Sequence, residues 1–464
     1  MNYSAQEYSP QNDLVVSLEN LRAKLVPLTG GKGASLAQLC DLSKKSSSKF
    51  IVPKALIVTT EAYLKQTQND QEFHKRLNAL RAVAYNHEDD KGVSLEKLKA
   101  ESEKLQKWFE EQTLLPEVQN LIEKNIRAEF GDTKNSDIMF AVRSSASTED
   151  SEEMSTAGQM STLLGVSTKT EHLSKAVMKC WASQFGFVAI EYKRGYGQDL
   201  DSPMAVVIQE MVDSQSAGVV FTAHPTTGDE RFLTITSNFG LGESVVSASA
   251  DPDSFEVEID VSKLPRKAVK VSSQRIGSKS LVTRISKSNN PESEEIENIA
   301  NEEGTEFANK SSLTEELIFQ IANCSLEIQV HYGNARDIEW GIVNGELYIF
   351  QSRPITNLDS GFTDYELMHE MDTPHDSETE VYSRAHWGEN FPGCSSITSL
   401  LLFQSPTVMA QQMVMQGSLK KKDFNVFKPP MGMVCQHLMF NMRYGMFPIM
   451  FKNYPEDKIS ASQV

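Results

Sequence analysis

Apolar positions along the first third of the chain alternate between short continuous runs and helical spacing. Leu14-Val15-Val16 opens as a strand and Gly30-Gly31-Lys32-Gly33 forms a turn. Ser35 to Leu42 carries Leu36, Leu39 and Leu42 at helical spacing, and Ala55 to Val58 is a second strand ending at Thr59-Thr60. Residues 61–130 read as helical, with Leu95, Leu98, Leu105 and Trp108 on one face. Ile138 to Val142 is an apolar run of buried-strand type, and His172 to Arg194 reads as one long helix. Met204–Val212, Ala217–Phe221 and Phe232–Ile235 are short strands. Ser312-x-x-Glu315 is the spacing of a capping box for a helix stopping at Gly333. Asp337–Ile342 and Glu346–Phe350 follow, joined by Asn344-Gly345, a strong two-residue hairpin signal.

Two charged blocks interrupt this order. Val261–Lys287 holds eight basic residues and no acid, and Glu292–Glu306 holds seven acids and no base. A solvated hairpin and a flexible loop are the expected readings. Beyond Asp359 the texture changes: 11 of the 18 methionines lie after residue 360. This tail lacks a second layer of periodic elements, so it is expected to be part of a domain whose remainder is absent.

At 464 residues the chain exceeds what one core usually serves, so two or three domains are expected. A formal charge of −18 repels nucleic acid and anionic lipid at long range, so any anion site must be a local basic exception. Five scattered cysteines, odd in number and without CxxC spacing, argue against a disulfide framework or zinc site and fit a reducing cytoplasm. The start lacks a basic n-region and an apolar h-region, so no secretory leader is expected. Met431–Phe451 is broken by Gln436, His437, Asn441 and Arg443, which excludes a spanning helix there.

Candidate chemistry is concentrated in three places. Phe140–Thr162 packs Arg143, a run of Ser and Thr hydroxyls and Ala157-Gly158 into about two dozen positions. Such donors suit a polyanion, and a polar surface loop fits them as well. Lys32 lies on a turn before a helix, where a lysine and backbone amides can meet a phosphate, although the stretch is not a Walker A loop. In the hairpin, Asp337 and Glu339 share a face, as do Gln351 and Arg353. Their oxygens suit Mg²⁺ beside a phosphate anchor. Taken alone, an Arg–Glu cross-strand pair without ligand explains the hairpin better.

Six ordered segments join these pieces. They are GGKGASLAQL (Gly30–Leu39), VPKALIVTTEAY (Val52–Tyr63), AVRSSASTEDSEEMSTAGQ (Ala141–Gln159), VVIQEMVDSQSAGVVFTAHPTTGD (Val206–Asp229), NFGLGESVVS (Asn238–Ser247) and DIEWGIVNGELYIFQSRPIT (Asp337–Thr356). In order and wording they resemble the ATP-binding domain of the pyruvate phosphate dikinase and phosphoenolpyruvate synthase family, with the rifampicin phosphotransferases as close cousins. The resemblance implies an ATP-grasp fold over residues 14–357, two α+β lobes clamping ATP with Mg²⁺. A linker at 358–385 and the truncated, mainly helical start of an acceptor or central domain at 386–464 would follow.

Carried over by motif, Lys32, Arg143 and Arg353 would hold ATP phosphates, the two arginines with catalytic roles. Gly158 and Thr162 would belong to the loop over the phosphates, Gln209 would lie by the adenine, and Glu339 and Gln351 would bind Mg²⁺, with Glu243 near the metal. Phosphoryl transfer needs positioning and charge neutralisation, which these residue types supply. The sequence also departs from the family. Thr156 stands where Phe is usual, which is expected to loosen the phosphate loop. The family relays the phosphoryl group through a histidine in a GGxxSHxA-like motif, and none of the nine histidines here has that context. WGENFPGCSSITSL (Trp387–Leu400) resembles the opening of the acceptor-binding domain in the rifampicin group. The expectation is therefore a dikinase-type phosphotransferase module in the cytoplasm. It would need a phosphohistidine domain and an acceptor domain, in trans or in the full-length protein, and would bind neither nucleic acid nor membrane. A non-catalytic ATP-binding or regulatory protein is the alternative, as is a rifampicin-phosphotransferase-like fragment with a non-pyruvate acceptor.

Overall fold

The computed structural model describes residues 13–85, 95–131, 138–146, 150–151, 154–155, 162–225, 228–261, 266–286, 296–300, 309–355, 382–383, 431–434 and 437–441. In chain order the elements begin with β1 (Val15–Ser17), α1 (Val26–Ser43), β2 (Ala55–Val58), α2 (Thr60–Thr67), α3 (Gln71–Ala84), α4 (Leu95–Glu110) and α5 (Pro116–Phe130). Next come β3 (Met139–Ala146), β4 (Asp150–Ser151), β5 (Met154–Ser155), β6 (Thr162–Ser167), α6 (Thr170–Ser183), α7 (Phe187–Gly195), β7 (Met204–Glu210), β8 (Ser216–Phe221) and β9 (Phe232–Phe239). The order continues with α8 (Glu243–Val246), β10 (Asp253–Asp260), β11 (Lys267–Arg275), β12 (Leu281–Ile285), β13 (Ile296–Ala300), α9 (Glu315–Tyr332), β14 (Arg336–Val343) and β15 (Glu346–Pro354). Three short strands close it: β16 (Tyr382–Ser383), β17 (Met431–Val434) and β18 (His437–Asn441).

One compact unit comprises Met1–Thr226 and Glu230–Leu358. It holds two antiparallel sheets, five strands in the order β1-β2-β7-β3-β6 and six in the order β11-β10-β9-β8-β14-β15. Alternation within the strands sorts side chains onto two faces. On the first sheet Leu56, Val58, Phe140, Val142, Val206 and Ile208 bury against α2–α6, where Phe73, Phe109, Phe185 and Trp181 fill the space. Its other face presents Ile57, Ala205 and Val207 to Leu36 and Ala37 of α1. The second sheet buries Val220, Ile235, Phe255, Ile338, Trp340 and Ile349 against α9, and Leu39 of α1 joins that core. α1 thus packs against both layers, with Leu36 in one core and Leu39 in the other. The architecture is α+β.

Several expectations need correction. The helix foreseen over His172–Arg194 is two helices, because α6 ends at Ser183 and α7 begins after Gly186. The break turns Phe185 into the aromatic cluster, 5.9 Å from Phe73 and 5.7 Å from Phe109 between ring centroids. The α9 cap is Thr314, whose Oγ1 accepts the Leu317 N–H; Glu315 is already helical, so there is no capping box. Ser312 is taken instead by buried Asp253, to which its N–H and Oγ both donate at 2.7 Å. The Gly-rich segment lies inside α1, which begins at Val26 and kinks at Gly30. Leu98 and Leu105 are buried, but Leu95 at the start of α4 is exposed.

The basic block is not one hairpin. β11 is an edge strand paired with β10, while β12 pairs with β13, so part of the acidic block is strand. A second unit comprises Thr227–Asp229 and Asp359–Val464. Its described residues after 358 form the sheet β16-β18-β17 and not helix; the other residues of that expectation, Trp387–Leu400 among them, lie outside the described residues. No helix among the described residues is long and apolar enough to cross a membrane.

Candidate functional site

Gly30 starts the site. Its φ of +69° favours glycine, and a Cβ there would lie 2.0 Å from the Ser145 carbonyl oxygen. Without that Cβ, α1 lies directly on β3. Ser145 Oγ donates to the Thr29 carbonyl at 2.7 Å and accepts the Gly33 N–H at 3.0 Å. The same contact carries Lys32 to β3, where its ammonium donates to the Ser144 carbonyl at 3.0 Å.

Arg143 stands on β3 opposite Thr162 of β6 and Val207 of β7. Its guanidinium crosses to the second sheet. Nη1 donates to Gln351 Oε1 at 3.3 Å, and Nη2 donates to Glu339 Oε2 at 3.1 Å. Both charged groups of the pair are mostly shielded, at 16% and 18% side-chain exposure, so the contact differs from an exposed surface pair. Arg143 Nε is buried with no hydrogen-bond partner. A buried unpaired donor is costly, and a ligand oxygen would satisfy it.

The oxygens that meet Arg143 depend on an irregularity in the hairpin. From the turn, Val343 faces Glu346, Ile342 Leu347, Gly341 Tyr348 and Trp340 Ile349. An unbroken ladder would next set Glu339 opposite Phe350. A register shift intervenes, so Glu339 faces Gln351 and Asp337 faces Arg353. One extra residue on one strand moves every later side chain to the other face. Phe350 is that residue. The cross-strand ion pair of the hairpin is therefore Arg353 with Asp337, at 2.7 Å through both Nε and Nη2, and not the Arg–Glu pair expected; Glu339 pairs with Arg143 instead. Burial pushes the Asp337 carboxyl above its ordinary range, with Arg353 opposing the rise.

A cavity of about 560 Å³ is lined by Lys32, Arg143, Thr162, Gln209, Glu339, Gln351 and Arg353 together. Seven of the eight nucleotide-site residues expected from the sequence are thus gathered at one place; the eighth, Gly158, lies outside the described residues, as does Thr156. Gln209 is buried at 2% exposure, and its Nε2 donates to the Phe350 carbonyl at 3.2 Å. Glu243, at the start of α8, also lines the cavity.

Glu210, Met211 and Val212, which end the strand read over Met204–Val212, also line the cavity. Leu164, Trp340 and Phe350 line it too and were not singled out in the sequence. Burial pushes the Glu210 carboxyl up, against the pull of Lys54. Nothing in the sequence marks Phe350, because its position follows from the register shift.

This arrangement can bind an anion through three cations and place two neutral or acidic oxygens beside it. Apolar strand residues offer surface for a flat group in the same cavity. Size and lining are those of a small-molecule site. The fold and cleft define an α+β domain with a small-molecule cleft lined by cations. A family model described as the pyruvate phosphate dikinase AMP/ATP-binding domain matches residues 26–372, and the chain belongs to that family.

The probable phosphoenolpyruvate synthase of Methanothermobacter thermautotrophicus is 35% identical over 347 residues, covering 74% of this chain and 46% of the relative. The rifampicin phosphotransferase of Bacillus subtilis is 30% identical over 348 residues, 75% of this chain and 36% of the relative. The phosphoenolpyruvate synthase of Pyrococcus furiosus is 32% identical over 375 residues, 73% of this chain and 43% of the relative. The chain spans less than half the length of these curated relatives.

Proposed function

We propose that this chain is the ATP- and Mg²⁺-binding module of a dikinase-type phosphotransferase, with an ATP-grasp fold over residues 14–357. A linker at 358–385 and the start of an acceptor or central domain at 386–464 would follow. In this reading ATP and water give AMP and inorganic phosphate while the β-phosphoryl group passes to a histidine on a separate domain, in trans or in the full-length cytoplasmic protein. The acceptor is pyruvate or another small molecule; the names of the relatives support both. Lys32, Arg143 and Arg353 neutralise and orient the phosphates. Thr162 borders the phosphate loop that includes Gly158, and Gln209 lies beside the base.

Glu339 and Gln351 would hold Mg²⁺ through one carboxylate and one amide oxygen. Among the described residues no group of three His, Cys, Asp or Glu could hold a metal alone. That fits Mg²⁺, which usually takes one or two protein oxygens and completes its shell with phosphate and water. When bound, the ion would supply charge neutralisation between phosphates.

The observation that carries the proposal is the Arg143 junction, a guanidinium with a buried unpaired Nε shared between Glu339 and Gln351 at the wall of the cavity. Calorimetric titration with ATP, with and without Mg²⁺, tests it on wild type, Arg143→Ala and Glu339→Ala. The expected result is Mg²⁺-dependent binding weakened about 10- to 100-fold in both variants, the loss of one charge-assisted contact. A wild-type chain with a folded circular dichroism spectrum and no ATP binding overturns the proposal.

A further inference from the structure

We infer that Gln209 is a positioning residue for the divalent cation: its amide holds the bulged Phe350 backbone, and so keeps Gln351 on the same face as Glu339. The inference rests on the reading that Glu339 and Gln351 bind the metal. It gives Gln209 a task in addition to its place beside the base.

The hairpin turn alone would put Glu339 opposite Phe350, leaving Gln351 on the reverse face. The shift between Glu339 and Trp340 corrects this, at the cost of one residue without a ladder partner. Such a residue needs holding. Two contacts do so, and they come from separate strands. Gln209 on β7 of the first sheet donates Nε2 to the Phe350 carbonyl at 3.2 Å, across the gap between the sheets. Gly341 on β14 leaves room for Ser214 Oγ and the Phe350 ring; a Cβ there would lie 2.5 Å from that Oγ and 2.7 Å from the ring Cζ.

Gln209 can act as a fixed arm. It is buried, lies in a ladder with Ala55 on one side and Ala141 on the other, and both neighbours are too small to compete for its amide. On one edge the β14 ladder holds β15 at Ile349 and again from Gln351 onward, leaving Phe350 unpaired between them. On the other edge Ile51 bonds it at Leu347 and Ile349, before the bulge, and Gln209 is the next tie along that edge. Loss of that tie lets the bulge relax, and the two oxygens that face Arg143 no longer share a direction.

Outer partners of metal ligands usually contribute 10- to 100-fold to metal affinity. Gln209→Met keeps length and removes the donor; Gly341→Ala perturbs the ring side of the same residue. Mn²⁺ affinity in the presence of ATP should fall at least tenfold in both. ATP affinity measured in EDTA should fall by a smaller factor than the Mn²⁺ affinity for Gln209→Met. A metal-free ATP affinity that falls as far as the metal affinity would confine Gln209 to nucleotide binding and overturn the inference, as would unchanged Mn²⁺ affinity in a folded Gln209→Met. Glu339→Ala and Gln351→Ala serve as references. If they leave Mn²⁺ affinity intact, the metal assignment itself fails, whatever Gln209 does.

Discussion

A guanidinium and a divalent cation compete for the same oxygens at Arg143. Nη1 and Nη2 already take Gln351 Oε1 and Glu339 Oε2 at 3.3 and 3.1 Å. A doubly charged ion held by those oxygens would be repelled by the guanidinium that already binds them. Phosphate oxygens can resolve the conflict, because they offer Arg143 a stronger partner and satisfy its buried Nε as well. On the proposed reading the metal therefore enters with the nucleotide. Wild-type chain without nucleotide should bind Mn²⁺ weakly, and Arg143→Met should bind it at least tenfold more tightly while losing ATP affinity. Electron paramagnetic resonance of free Mn²⁺ reads both quantities. Equal Mn²⁺ affinities in the two proteins would show that Arg143 does not guard these oxygens.

Among the elements, strand patterning was legible wherever a run was long and one-sided. The Asn344-Gly345 hairpin and the strands carrying Arg143 and Gln209 follow from apolar runs and turn chemistry. What was not legible depends on tertiary competition. The bulge at Phe350 leaves no local trace, and Ser312 lost its capping role to Asp253, which lies far away in sequence. The break between α6 and α7 also has a tertiary cause, and it shapes a second buried site. Lys193 of α7 is 5% exposed and donates to Gln184 Oε1 at 3.1 Å and the Leu200 carbonyl at 3.0 Å. Burial lowers its pKa from 10.5 to about 8, against the pull of Asp201 and Asp199. Between those values the unfolded chain binds more protons than the folded one, so this group's contribution to stability rises with pH. Denaturant unfolding at pH 7.5 and 9.5 should show wild type gaining about 2 kcal/mol relative to Lys193→Met across that interval. A constant difference between the two proteins would mean that Lys193 does not titrate there.

For the whole molecule, the question is where the phosphoryl group goes after ATP. Family membership and the gathered cavity residues were readable because six motifs kept their order, whereas the acceptor has no signature in the matched region. Among the described residues of the unit that holds the cavity no histidine lines it: His172 bonds Ser167, His224 lies near Glu256, and His74 and His331 belong to α3 and α9. A relay through histidine needs the imidazole nitrogen in line with the phosphorus at near-attack distance. On the proposed reading this chain binds ATP but passes nothing on unless a histidine-bearing domain reaches the cavity. The chain alone should form no AMP when supplied with ATP, Mg²⁺ and pyruvate. Addition of a separately purified fragment of a family relative, carrying its phosphohistidine and acceptor domains, should start AMP formation. The Arg143→Ala chain supplied with the same fragment should lower that rate at least a hundredfold. Chromatographic measurement of AMP checks each case, with the fragment alone as the blank. Pyruvate-dependent AMP from the isolated chain would place a competent relay within these 464 residues and refute the division of labour proposed for them.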